Sequence, residues 1–130
     1  MKFSKIKETC LYVHDLEKAK AFYHGLLALP VISYVEGKHI FFRAGSSVLL
    51  CFDPDDSKTK TSPPPHYAEG KQHFAFEVAM ADYADVKAEI ESKGIAIIDR
   101  VVWSSGRESF YFNDWEGNIL EVLPDAGIWE

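Results

Sequence analysis

Cysteine is scarce in this chain. Its 130 residues carry only Cys10 and Cys51. Both sit inside apolar strand patterns, with no close Cys-x-x-Cys pair, which excludes a disulfide-stapled scaffold and points to a reducing, cytoplasmic compartment. No apolar run approaches the roughly 18 residues that a membrane-crossing helix needs, so no membrane partner is expected. Residues Met1-Lys2-Phe3-Ser4-Lys5 have no apolar stretch behind them of the kind a secretory leader carries. Clustered Lys and Arg are missing too, and the net charge is −6, which argues against a nucleic-acid surface.

Apolar and aromatic surface is plentiful, at 47% hydrophobic and 14% aromatic residues, and this excludes a disordered chain. A chain of this length suits one domain over residues 1–130 with a core of its own. Inside it the order of elements repeats. Lys71-Gln72-His73-Phe74-Ala75-Phe76-Glu77-Val78 alternates like a strand, and Glu8-Thr9-Cys10-Leu11-Tyr12-Val13 makes the same pattern earlier, with Glu8 at the place of His73. Each strand closes on a Val, leads into an amphipathic helix of about three turns and then reaches Val/Ile-rich strand sequence. This predicts an α+β chain of two βαβββ modules, repeat one over 5–53, a linker over 54–70 and repeat two over 71–125.

Within repeat one, Asp15 is placed to cap a helix whose stripe is Leu16, Ala19, Phe22/Tyr23 and Leu26, with Pro30 as the stop. Short strands at 31–35, 39–43 and 47–52, joined by Gly37-Lys38 and Gly45, predict an antiparallel meander. The linker, with Asp-Pro-Asp-Asp and Ser-Pro-Pro-Pro-His, has no apolar period and is not expected to pack. In repeat two Asp82 is the expected N-cap, Tyr83, Val86 and Ile90 the inner stripe, and Gly94 the residue past the helix end. Strands are expected at 96–103, 109–113 and 118–123.

Three ionisable residues stand on these strands. Glu8 and His73 are related by the repeat, and Glu121 shares a strand face with Ile119 and Leu123, an odd place for a carboxylate. Each alone is more commonly a solvent-facing or satisfied group. Together, one imidazole and two carboxylates held on rigid strands suit a divalent metal, Mn²⁺, Fe²⁺, Ni²⁺ or Zn²⁺, with positions left open for water or substrate.

Three stretches carry a family resemblance: residues 12–23 (Tyr12-Val13-His14-Asp15-Leu16, ending in Phe22-Tyr23), residues 73–78, and residues 109–121 (Ser109-Phe110-Tyr111-Phe112-Asn113-Asp114-Trp115-Glu116-Gly117-Asn118-Ile119-Leu120-Glu121). In order and spacing they resemble the vicinal oxygen chelate superfamily: glyoxalase I, bleomycin-resistance proteins, type I extradiol dioxygenases and fosfomycin-resistance thiol transferases. The resemblance implies a cup-shaped, mostly antiparallel eight-strand sheet and a homodimer. It also implies a cup lined from among the wall aromatics Tyr12, Phe42, Phe52, Trp103, Tyr111 and Trp115, with Tyr111 and Trp103 as the wall candidates and Arg107 as a nearby cation for an anionic group. It puts Glu8, His73 and Glu121 on the family's ligand positions. A fourth ligand place falls near Leu49 or Cys51, where no carboxylate stands. The thiol-transferase branch is the closest local match, through Tyr111 and a serine at Ser105, although Val101 stands where some of its members keep a lysine.

Two functions follow as expectations. The first is a metal-dependent lyase, thiol transferase or dioxygenase acting on a small oxygen-chelating substrate, with Glu121 or Glu8 moving a proton and Tyr111, Trp103, Ser105 and Arg107 contacting the substrate. The second is a metal-free protein that sequesters a small molecule in an aromatic, acidic cleft.

Overall fold

Alternation along the chain becomes eight strands in two four-stranded sheets, in a computed structural model that describes residues 1–130. The chain divides into two compact units, Met1–Gly70 and Lys71–Glu130.

In the first unit β1 (Glu8–Tyr12) leads to the helix α1 (Leu16–Ala19), then to β2 (Val31–Val35), β3 (His39–Ala44) and β4 (Ser47–Phe52). The sheet order is β1-β4-β3-β2, with β1 parallel to β4 and the other pairs antiparallel. Asp15 caps α1 as expected, its Oδ1 accepting from the Lys18 amide at 3.0 Å. Leu16, Ala19, Phe22 and Tyr23 are buried with Leu11, Val13, Ile40, Phe42, Leu49 and Cys51 of the strands. The Tyr23 and Phe42 rings lie 5.6 Å apart. Each such side chain contributes about 1.5–3 kcal/mol on burial. Phe42, named above among the wall aromatics, is fully buried and belongs to this core.

Sequence periodicity did not foretell the winding of the second half of the helix. Lys20–Leu26 widens into π-turns, and the chain leaves at Ala28 with φ +60°, ahead of the expected stop at Pro30. The His24 Nδ1–H donates to the Leu29 carbonyl at 2.8 Å, holding this exit. The expectation that 54–70 stays unpacked is also corrected. Pro54–Ser57 forms a helical turn, α2, capped by Asp53 Oδ1 on the Asp55 amide. Pro54 and Ser57 are buried, and His66 returns to the sheet, its Nδ1 2.7 Å from the Tyr12 hydroxyl and its ring 4.7 Å from Phe52. A proline ring and an imidazole supply contact surface that a search for Leu, Ile and Val overlooks.

The second unit repeats the order: β5 (His73–Val78), the helix α3 (Tyr83–Ser92), β6 (Asp99–Val102), β7 (Glu108–Asn113) and β8 (Ile119–Pro124). Its sheet runs β5-β8-β7-β6, again with one parallel pair, β5 to β8. Ile90, Phe110, Phe112, Leu120 and Val122 form the core. Two expectations are corrected here. Asp82 makes no side-chain cap, because a 3₁₀ turn at Met80–Asp82 precedes α3; Asp125 Oδ1 accepts from the Met80 amide instead, at 3.1 Å. β6 is shorter than the expected 96–103 and covers Asp99–Val102, although Ile98 N–H still donates to the Tyr111 carbonyl at 2.8 Å. Gly94 does follow the helix end, with φ +78°, a value that favours glycine.

Candidate functional site

Strand alternation gives the second sheet two different faces. Phe110, Phe112, Leu120 and Val122 are buried on one. His73, Tyr111 and Glu121 occupy the other. Pairing sets their spacing: Tyr111 lies opposite Glu121 on β7–β8, and His73 lies opposite Ile119 on β5–β8.

The histidine and the carboxylate face one another. His73 Nε2 is 3.5 Å from Glu121 Oε1, with Glu121 only 6% exposed. His73 Nδ1–H donates to the Ile119 carbonyl at 2.8 Å, which fixes the ring and directs Nε2 toward the carboxylate. This is an arrangement in which both groups can ligate one cation. Two donors about 2.1 Å from one tetrahedral ion lie about 3.4 Å apart, so the observed separation fits a shared divalent metal. No three His, Cys, Asp or Glu side chains are gathered as a metal cluster, so this pair supplies two donors.

Tyr111 completes the group, with its ring 6.2 Å from that of His73. Burial, together with hydrogen bonding to Glu121, pushes its phenol above the usual tyrosine range, so the hydroxyl keeps its proton at neutral pH. Trp103 is half-buried, and its Nε1–H donates to the buried Ser109 Oγ at 3.1 Å. Ser105 and Arg107 lie exposed on the turn between β6 and β7, and the Arg107 amide donates to Ser105 Oγ at 3.3 Å.

Glu8 belongs to the first unit, exposed at the start of β1 opposite Val48. Leu49 and Cys51 are buried in that unit's core. Beside Glu8 on its strand, Tyr12 opens a set of rings that sequence reading did not assemble: Tyr12, Phe52, Phe41, His39 and His66. Phe41 and His39 stack at 3.9 Å, and Phe41 and Phe52 meet at 5.4 Å. Burial, helped by Lys60, lowers the His39 pKa, and its Nε2 lies 3.1 Å from Ser33 Oγ.

Sequence reading also missed what holds His73 and Glu121 in place. The buried Asp114 accepts from the amides of Glu116 and Asn118, each at 3.0 Å, and from Asn118 Nδ2 at 2.9 Å. Asn118 Oδ1 in turn accepts from the Gln72 amide at 3.1 Å, next to His73. The signal was the turn Asn113-Asp114-Trp115-Glu116-Gly117-Asn118, whose Asp and Asn are turn formers by virtue of such bonds. A separate surface depression of about 430 Å³, lined by Lys87, Glu91, Ile97, Ile98, Asp99 and Arg100, includes none of the predicted site residues.

Known proteins share this fold. The chain is similar to the glutathione transferase FosA of Serratia marcescens, with 28% identity over 120 residues, covering 86% of this chain and 74% of that protein. A lactoylglutathione lyase structure from Agrobacterium tumefaciens superposes with a TM-score of 0.91 at 33% identity, covering 96% of each chain. A glyoxalase/bleomycin resistance protein/dioxygenase from Nocardioides shares the fold at a TM-score of 0.76 and 20% identity, covering all of this chain and 90% of its own. The model of the Glyoxalase/Bleomycin resistance protein/Dioxygenase superfamily matches residues 5–122. The chain belongs to that superfamily.

Proposed function

We propose that the protein is a divalent-metal-dependent enzyme acting on a small oxygen-chelating substrate, with His73 and Glu121 as metal ligands. The observation that carries this reading is the His73–Glu121 pair, 3.5 Å apart with the other ring nitrogen of His73 tied to Ile119. A bound Ni²⁺, Mn²⁺, Zn²⁺ or Fe²⁺ would polarise substrate oxygens. The protein's own residues do the rest: Glu121 takes up a proton, Tyr111 donates its phenolic hydrogen to a substrate oxygen, Trp103 forms a wall, and Ser105 and Arg107 hold an anionic group. Among lyase, thiol-transferase and dioxygenase chemistry, the names of the lactoylglutathione lyase and the glutathione transferase favour the first two. We propose further that the working species is a homodimer, because Met1, Phe3, Ile6, Ile32, Val35 and Trp129 are all large, apolar and exposed.

The five rings on the first sheet favour a second reading, sequestration of a small molecule without metal. Metal analysis of protein purified without chelator separates the two. About one equivalent of divalent metal per chain, lost in His73→Ala, supports the enzyme; a metal-free protein that binds aromatic ligands overturns it.

A further inference from the structure

Beyond β8 the chain leaves the sheet and doubles back. Its starting point is fixed: the Asp125 amide donates to the Val78 carbonyl at 2.9 Å, and the Asp125 carboxylate accepts from Met80. Two residues later Gly127 takes φ +89°, reversing the chain. The reversed segment lies on the turn between β6 and β7. The Ser105 hydroxyl donates to the Gly127 carbonyl. The Arg107 stem passes so close over Gly127 that a Cβ at that position would sit 2.6 Å from Arg107 Cγ and 3.1 Å from its Nε. The Trp129 ring rests 5.9 Å from that of Trp103, although Trp129 is 78% exposed. Inside the segment, the Gly127 amide donates to the Glu130 carboxylate.

These contacts fall on Trp103, Ser105 and Arg107, three of the four residues assigned to the substrate. We propose that residues 125–130 form a strap, anchored at Asp125 and latched at Gly127 and Trp129, that releases Ser105 and Arg107 before they take an anionic group. The inference rests on the substrate role given to these residues above. The latch consists of one exposed hydrogen bond, one close approach that only glycine allows, and one contact to a mostly exposed indole. The anchor is made to Val78 and Met80, away from the latched turn. A segment with few buried contacts between a firm anchor and a weak latch opens at low cost, as gating segments do.

Gly127→Ala tests the latch, since the new methyl collides with Arg107 in a backbone conformation that L residues rarely adopt. Trp129→Ala removes the indole contact from the exposed side and serves as the second variant. Hydrogen exchange across 103–107, measured without metal, is expected to quicken several-fold in both variants, together with acrylamide quenching of tryptophan. Inorganic phosphate is expected to bind several-fold tighter to both than to the parent chain. Unchanged exchange in Trp129→Ala overturns the latch, and faster exchange with unchanged phosphate affinity overturns the masking of Ser105 and Arg107. Metal content measured on the parent chain keeps the two proposals apart, because a metal-free parent whose 103–107 segment exchanges faster in both variants counts against the metal site and leaves the strap standing.

Discussion

Asp114 and Asn118 are joined side chain to side chain, Asn118 Nδ2 donating to Asp114 Oδ2 at 2.9 Å, both in the interior. The pair closes the turn between β7 and β8, and Asn118 reaches across to Gln72, the residue before His73. The strands that carry Tyr111, Glu121 and His73 are thus tied at one end by a single buried turn.

Asp114→Ala therefore removes three hydrogen bonds and leaves Asn118 donors unpaired in the interior. A loss of about 3 kcal/mol in urea unfolding is expected. Metal affinity should fall in the same variant although no proposed ligand has changed. Undiminished stability would show that the turn is held by backbone alone.

Metal binding should appear as stability. A ligand bound only by the folded chain adds about 2.7 kcal/mol at a hundredfold excess over its dissociation constant. Melting temperature is expected to drop with EDTA and to recover with Ni²⁺, Mn²⁺ or Zn²⁺. His73→Ala should abolish the shift, and a full shift in that variant would remove His73 from the site.

Acid should weaken the first unit through His39. Burial lowers its folded pKa below the ordinary histidine value of 6.5, so the unfolded chain binds the proton more readily. The stability associated with neutral His39 is present above about 6.5 and is lost progressively as pH falls towards the lower folded value. Unfolding midpoints measured from pH 7.5 to 5 should decline, and His39→Gln should flatten that decline. An equal slope in both proteins would assign the effect to other groups.

Glu108 works in the opposite part of the scale. Lys87 at 2.9 Å, ahead of the opposing effect of partial burial, holds its carboxyl below the usual value, with help from the Tyr83 hydroxyl at 3.1 Å. Its contribution is present above the unfolded carboxyl pKa and lost as pH falls through the folded one. Because the pair is partly solvated, Glu108→Gln is expected to cost only about 0.2–1 kcal/mol at pH 7. A loss well above that range would mean that burial dominates.

The homodimer is checked by light scattering at micromolar concentration, where about twice the chain mass of 14.7 kDa is expected. A clean monomer ends that proposal and leaves Phe3 and Ile6 without a cover.

Strands were readable because side chains on a pleated sheet alternate, as they do along Lys71–Val78 and Glu8–Val13. Asp15 was readable because a cap needs only local geometry. Asp82 failed for the converse reason. The helix start it was expected to cap is satisfied from Asp125, more than forty residues away, and no local pattern records a long-range donor. The π-winding of Lys20–Leu26 and the docking of His66 on Phe52 are likewise settled by packing. At the candidate site the sequence named His73 and Glu121, and the ladder register, with His73 opposite Ile119, put them on one face two residues out of step. The supporting Asp114 and Asn118 read as ordinary turn formers.

Each sheet hydrogen-bonds the first strand of its unit to the last, β1 to β4 and β5 to β8, in parallel. This connectivity has a kinetic consequence. β7 and β8 can zip from a short hairpin, whereas β5 waits for a partner separated from it by a helix and two strands. Closing that long loop is the entropically expensive step, and high contact order slows folding. His73 on β5 meets Glu121 on β8 only when this pairing is made. During synthesis β5 emerges first and stays unpaired until residue 124 has cleared the ribosome, an interval in which its Phe74 and Phe76 are open to wrong partners.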